Sequence, residues 1–178
     1  MESNGVLGLS MGTSQAIGYV NLNGNITDWL NELAFAPVDY RDDAPADEWS
    51  GDIGCGAQYF SQQAVARLAP AAGLEYPSDM PFPKRLEAVQ ALMAEGDERA
   101  AKIYRTIGTC FGYAIAHYAD FYAIKNLLIL GRVSSGKGGE IIIEEAKKVL
   151  DAEFPELAST INFRIPDEKF KRHGQAVI

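Results

Sequence analysis

The sequence predicts an α/β domain with a mixed sheet flanked by helices, and three observations carry that expectation. The chain opens on two short apolar runs, GVLGLS at 5–10 and AIGYVNL at 16–22. Its middle repeats apolar residues at the three- and four-residue spacing of a helix. Its end alternates strand-like and helix-like stretches, the pattern of crossover units that lay helices over a sheet.

The two opening runs flank Met11-Gly12-Thr13-Ser14-Gln15 and read as paired strands. Asn23-Gly24 follows, residues that tolerate the positive φ of a tight hairpin turn, so a third strand is expected over 25–30. Residues 36–52 are rich in Pro, Asp and Gly and read as a loop long enough to be functional. A helix is expected over 57–68, ended by Pro70, and another over 84–94, ended by Gly96. Asp97 then suits the N-cap of a long helix, because its carboxylate can accept from the free N–H groups of the first turn. Within that helix Ala100, Ile103, Tyr104, Ile107, Phe111, Ala114, Ile115 and Tyr118 form one apolar stripe. Gly108 and Gly112 lie one turn apart and leave room for a close helix neighbour. NLLIL at 126–130 reads as a buried strand, 140–152 as a helix and 160–165 as an alternating strand. Residues 174–178 open a last helix. An antiparallel start followed by crossovers fits the ribonuclease-H-like kind of α/β domain.

Composition excludes several function classes. The 178 residues carry a net charge of -8 and a pI near 4.8, which offers no electrostatic footprint for nucleic acid or anionic lipid. Cys55 and Cys110 make no C-x-x-C pair and no disulfide framework. No basic-then-apolar leader opens the sequence and no apolar run approaches membrane-spanning length. The expected setting is the cytoplasm, with no membrane contact.

The stretch LLILGRVSSGKGGE raises the sharpest chemical question. Residues 131–138 are one residue short of the phosphate-binding loop G-x-x-x-x-G-K-[ST], with Gly138 where the Mg²⁺-holding Ser or Thr belongs. No later strand supplies a good metal-binding Asp, since Asp167 follows Pro166 in a turn-like context. Lys137 then reads as a solvated loop lysine.

Three ordered stretches together resemble the C-terminal lobe of the ROK family, the bacterial sugar kinases and sugar-responsive repressors of the actin-like, hexokinase-like ATPase fold. GLSMGTSQAIGYVNLNG resembles the family's second phosphate loop and the strand and N-G turn after it. SGDIGCGAQYFSQQAV resembles G-C-L-E-A-Y-A-S and its helix, and LLILGRVSSG resembles the strand and G-G-x-x-S turn that supports adenosine. Ala94-Glu95-Gly96-Asp97 resembles A-x-G-D. The likeness covers nearly all of the chain, which it implies is a single domain, 1–178, lacking the N-terminal lobe.

The resemblance implies that Gly12 and Thr13 approach phosphates and that Gly131, Ser134 and Ser135 support the nucleoside. ATP and Mg²⁺ are the cofactors expected of the complete protein. Glu32, in Asn31-Glu32-Leu33-Ala34-Phe35, matches the sugar-binding Glu of G-E-x-G-H; a carboxylate accepts hydrogen bonds from hydroxyls. The departures are Ser14 and Arg132 in place of Gly, Phe35 in place of the His shared by sugar and zinc, and Ala57 in place of the Glu of G-C-L-E. Of the family's zinc-ligand pattern only Cys55 remains, so no zinc is expected, and Trp49 is a candidate anchor for that loop. Asp39, Asp42 and Asp43 read as solvated carboxylates.

No catalytic residue is expected in this chain, because the family's base and its first phosphate loop, D-x-G-x-T, belong to the N-terminal lobe. The implied function is the C-terminal half of a sugar kinase acting on a hexose or amino sugar with ATP. The alternatives are the effector-sensing lobe of a transcriptional regulator, without nucleic-acid contact by this chain, and a noncatalytic dimerisation domain. Homodimers through this lobe are expected in each case.

Overall fold

The computed structural model describes residues 4–26 and 31–165. Its strands are β1 (Val6–Met11), β2 (Gln15–Val20), β3 (Asn126–Leu130) and β4 (Asn162–Arg164), and its α-helices are α1 (Gln62–Ala71), α2 (Phe82–Ala94), α3 (Glu98–Ala119), α4 (Gly136–Glu153) and α5 (Pro155–Thr160). The four strands of the described sheet run in the order β2-β1-β3-β4. β1 pairs antiparallel with β2, from Val6 opposite Val20 to Met11 opposite Gln15. β3 lies parallel to β1, with Ser10 opposite Leu130, and β4 lies parallel to β3. The sheet is therefore mixed and helices flank it, as the sequence predicts.

One apolar cluster joins the sheet to the helices. Leu7, Leu9, Met11, Leu127 and Ile129 share it with Phe60, Ile103, Ile107, Phe111, Ile115 and Ile142. The stripe on α3 supplies its centre, and Tyr104 and Tyr118 within that stripe are fully covered. Gly108 and Gly112 have the neighbour their spacing implies. A Cβ on Gly108 would lie 2.7 Å from the Ile142 carbonyl, and one on Gly112 would lie 2.6 Å from Val149 Cβ, so bare backbone lets α3 and α4 close up.

Several boundaries differ from the sequence reading for identifiable reasons. The expected helix over 57–68 is split into a 3₁₀ turn, Gly56–Gln58, and α1. Ser61 makes the break: its hydroxyl donates to the Ala57 carbonyl and accepts from the Gln63 N–H at 3.1 Å, capping α1. Pro70 sits inside the last turn of α1 rather than beyond it. α2 begins two residues earlier than expected because Pro83 falls in its first turn, where proline is compatible with a helix. α4 begins at Gly136, so the glycine-rich stretch is the helix's own first turn. α5 was not anticipated; Pro155 stands at its start. Asp97 caps α3, accepting from the Arg99 N–H at 2.8 Å. Ile26 makes a single bridge to Val20, and the remainder of the expected third strand lies outside the described residues, as does the helix expected over 174–178.

Candidate functional site

Because β1 and β3 are parallel, their carboxyl ends lie side by side, and the turns that follow them meet. The turn after β1 is closed by the Gly12 N–H donating to the Ser14 carbonyl at 2.9 Å. The turn after β3 crosses directly against it, with the Val133 N–H donating to the Met11 carbonyl at 3.0 Å. Gly131 makes this crossing possible. Its φ is +98°, and a Cβ there would lie 2.4 Å from the Met11 carbonyl oxygen. The start of α1 joins the same edge, with the Gln62 N–H donating to the Gly12 carbonyl at 2.9 Å.

Gly12, Thr13, Gly131, Ser134 and Ser135 are therefore brought together at one edge of the sheet, beside the N-termini of α1 and α4. Open α/β sheets bind ligands outside the carboxyl ends of their strands, where helix N-termini direct N–H groups toward an anion. Thr13 is exposed and Gly12 is half-buried. The two serines have different placements. Ser134 is buried, and its hydroxyl donates to the Leu130 carbonyl at 2.8 Å, bracing the turn. Ser135 donates to the Gly131 carbonyl at 3.1 Å and lines a cavity of about 340 Å³ between α2 and the start of α4. Gln90, Met93, Ala94, Tyr104 and Lys137 also line it.

The resemblance to a P-loop has a packing explanation. A Cβ on Gly138 would lie 2.5 Å from two ring carbons of Tyr104, and one on Gly139 would lie 1.9 Å from the Ser134 carbonyl oxygen. The position where a P-loop carries its metal-binding hydroxyl has no room for a side chain. Lys137 is exposed and reaches the Ala94 carbonyl at 3.5 Å, across the cavity mouth. Arg132, the departure from the second glycine of G-G, ties the turn to α2: its guanidinium meets Glu87 at 3.0 Å and its carbonyl accepts from Gln90 at 2.7 Å.

Glu32 lies elsewhere. It is exposed and lines a cavity of about 770 Å³ with Tyr40, His117, Asp120 and Phe121. The segment carrying it runs against residues 56–57, where the Ala57 N–H donates to the Ala34 carbonyl and the Gly56 N–H to the Ala36 carbonyl, each at 2.9 Å. Gly56 is confined there: an added Cβ would lie 2.1 Å from the Gln15 side-chain oxygen.

The loop over 36–52 is organised by two carboxylates: Asp47, which sequence reasoning did not single out, and Asp39, which it reads as solvated. Asp47 is buried and accepts from the Ser50 N–H at 2.9 Å, the Trp49 N–H at 3.1 Å, Gln58 Nε2 at 3.2 Å and Gln63 Nε2 at 3.3 Å. These bonds, led by Ser50, hold its carboxyl below the usual range. Asp39 is not a solvated carboxylate. Arg41 pairs with it through two nitrogens and Tyr59 donates to it, which holds Asp39 far below the usual carboxylate range. Burial and then this carboxylate push the Tyr59 phenol up to about 12. Asp42 and Asp43 are exposed.

Trp49 does not anchor the loop by burial, since it is 85% exposed; it stacks on Phe35, with ring centroids 5.9 Å apart. Cys55 is fully buried, and desolvation raises its thiol pKa. Among the described residues no three His, Cys, Asp or Glu side chains converge as a metal site. Nor is any described helix long and apolar enough to cross a membrane.

No family profile matches the chain, and no curated protein does. Solved structures do. A ROK family transcriptional regulator, a homolog of the E. coli MLC protein, superposes with a TM-score of 0.70 at 17% identity, over 90% of this chain and 41% of that one. The fold is that of the ROK proteins, an actin-like ATPase fold. A ROK hexokinase from Thermus thermophilus superposes with a TM-score of 0.65 at 15% identity, over 92% of this chain and 52% of that one. A ROK family glucokinase from Streptomyces griseus, solved with glucose and AMPPNP, gives 0.62 at 20% identity, over 83% and 50%. The chain spans about half, or less, of the length of these ROK proteins.

Proposed function

We propose that this chain is the C-terminal lobe of a ROK-like sugar kinase and supplies one side of a site for ATP and a hexose or amino sugar. The observation that carries the reading is the meeting of the Gly12 turn and the Gly131 turn at the carboxyl edge of the sheet, with a base-sized cavity beside the second. Gly12 lets phosphate oxygens approach a turn that no side chain covers at that position, and Thr13, exposed beside it, donates from its hydroxyl. Gly131 brings the backbone close to the nucleoside, Ser135 lines its cavity, and Ser134 holds the turn in shape from beneath. Glu32 accepts hydrogen bonds from sugar hydroxyls.

The chemistry requires an opposing lobe. Mg²⁺ bound with ATP would neutralise the charge that develops on the transferred phosphoryl group. A base beside the accepting hydroxyl is still needed, and Asp39 cannot serve, since Arg41 and Tyr59 already occupy its carboxylate. Asp42 and Asp43 are open to solvent, where they hold no substrate in place. This half-site alone binds ATP only weakly, with a dissociation constant on the order of 1 mM, about 4 kcal/mol.

The test is a coupled assay for ADP release over a panel of hexoses and amino sugars, with the chain alone and with a ROK kinase N-terminal lobe supplied. Turnover that appears only with the added lobe supports the proposal. Sugar-dependent turnover by the chain alone, abolished by Glu32→Ala, sinks the half-site argument.

One observation favours an effector-sensing lobe of a ROK-type regulator instead. Phe35 is stacked on Trp49 and Ala57 is buried, so two of the family's sugar contacts have no polar counterpart here. Sugar binding with no ADP release in the two-lobe assay would select that reading.

A further inference from the structure

We propose that the Tyr104 hydroxyl reads the base in the cavity between α2 and the β3–α4 turn, donating its hydrogen bond to a ring nitrogen of a bound purine nucleotide. The proposal rests on the nucleotide-site reading and assigns that site a specificity residue on α3, a helix to which the sequence gives no ligand role.

Buried hydroxyls are nearly always paired, and each exception calls for a reason. Tyr104 is fully covered, yet its hydroxyl has no hydrogen-bond partner. Its place in the fold supplies the reason. An ideal Cβ on Gly138 would lie 2.5 Å from both Cε1 and Cζ of the ring. The hydroxyl-bearing end of Tyr104 therefore lies at the first turn of α4, where Ser135, Gly136 and Lys137 line the cavity. A glycine at 138 is what allows the ring to reach this place.

The cavity, at about 340 Å³, stands at the small end of ligand pockets, a size for a base rather than a whole nucleotide. Met93 and Ala94 give it apolar walls. The polar links between α2 with its end and the segment from Arg132 to Lys137 are the Gln90 to Arg132 carbonyl bond, the Arg132–Glu87 pair and the Lys137 to Ala94 carbonyl bond, all exposed. Exposed polar contacts of this kind are weak enough to yield to a ligand. Because the hydroxyl is covered, the base reaches it by parting α2 from the turn. Burial raises the phenol's pKa, so it meets the base as an O–H donor. A purine ring nitrogen without hydrogen is the matching acceptor.

The experiment titrates isotope-labelled wild-type protein and Tyr104→Phe with ATP and, separately, with inorganic tripolyphosphate, following amide shifts, and measures the urea midpoint of each protein. ATP should bind Tyr104→Phe about fivefold to tenfold more weakly than wild type, the loss of one hydrogen bond. Tripolyphosphate should bind both alike, and the urea midpoint should stay level or rise, because the variant loses an unpaired polar atom. Equal ATP affinity in the two proteins, ATP no tighter than tripolyphosphate in wild type, or a lower urea midpoint in the variant would each overturn the role of Tyr104 while leaving a phosphate site in place. Wild type that binds neither ligand would overturn the nucleotide reading and this inference with it.

Discussion

Replacing Gly131 with Ala should damage the crossing of the two turns far more than an Ala at Gly136, and the comparison separates two physical effects. Both glycines have positive φ, +98° and +63°. An L-residue in such a conformation costs about 1–2 kcal/mol. A loss of unfolded-chain entropy of about 0.4–1 kcal/mol offsets part of this at either position. Nothing lies within 4 Å of a Cβ on Gly136, so Gly136→Ala should lose only the small remainder, about 0–1.5 kcal/mol. At Gly131 the Cβ meets three Met11 backbone atoms at 2.4–2.6 Å, and rigid backbone cannot swing aside as a flexible side chain can. Overpacking of this kind adds about 1–3 kcal/mol, so Gly131→Ala should lose about 1–4.5 kcal/mol of a total near 5–15 kcal/mol. Urea unfolding at neutral pH measures both, and hydrogen exchange at the Val133 N–H, which donates to Met11, reports whether the crossing has opened. Equal losses in the two variants would refute the argument, because they would mean that the contact with β1 carries no cost.

Other perturbations have definite expected outcomes. Gly138→Ser restores the P-loop pattern in sequence, but its Cβ collides with Tyr104; it should lose about 1–3 kcal/mol in urea unfolding and gain no ATP affinity by calorimetry. Asp47→Ala removes the acceptor of the Ser50 and Trp49 N–H groups and of one bond each from the Gln58 and Gln63 side chains, and should cost about 2–4 kcal/mol by the same assay. The carboxyls of Asp47 and Asp39 are held below their unfolded value near 4, so their contribution is complete above about pH 4 and is lost as pH falls through the lower folded values. Wild-type stability should fall as pH drops below about 4, and Asp47→Asn should show a shallower fall in acid-unfolding curves. The chain should form homodimers, and sedimentation showing only monomer at about 50 μM, within the micromolar range of ordinary affinities, would contradict that expectation.

The sequence carried most of the fold because its signals were local. The α3 stripe, the Asp97 cap and the short apolar runs at 5–10 and 16–22 act through near neighbours, and each corresponds to an element in the structure. The Gly108 and Gly112 pair even announced a close helix, though not that it would be α4. Boundaries were less legible where one side chain decides between competing patterns, as Ser61 does between the 3₁₀ turn and α1. The glycine-rich stretch was the most ambiguous. Gly136, Gly138 and Gly139 suggest a loop, but two of them serve packing against Tyr104 and Ser134, partners that sequence distance hides. Asp47 looked like any acidic loop residue, because the amides that bury it come from Gln58 and Gln63 across the loop. Its only sequence signal was an Asp two and three residues before the N–H groups of Trp49 and Ser50, a common turn pattern.

The paired turns at the carboxyl edge of the sheet are proposed to bind the phosphates and nucleoside of ATP. The most direct measurement is residue-resolved amide-shift mapping of the chain titrated with AMPPNP and Mg²⁺. The largest changes are predicted at Gly12, Thr13, Gly131, Ser134 and Ser135 and in the first turn of α4. Changes confined to other surfaces, or no change at ligand concentrations of about 10 mM, well above the millimolar affinity expected of a half-site, would contradict it.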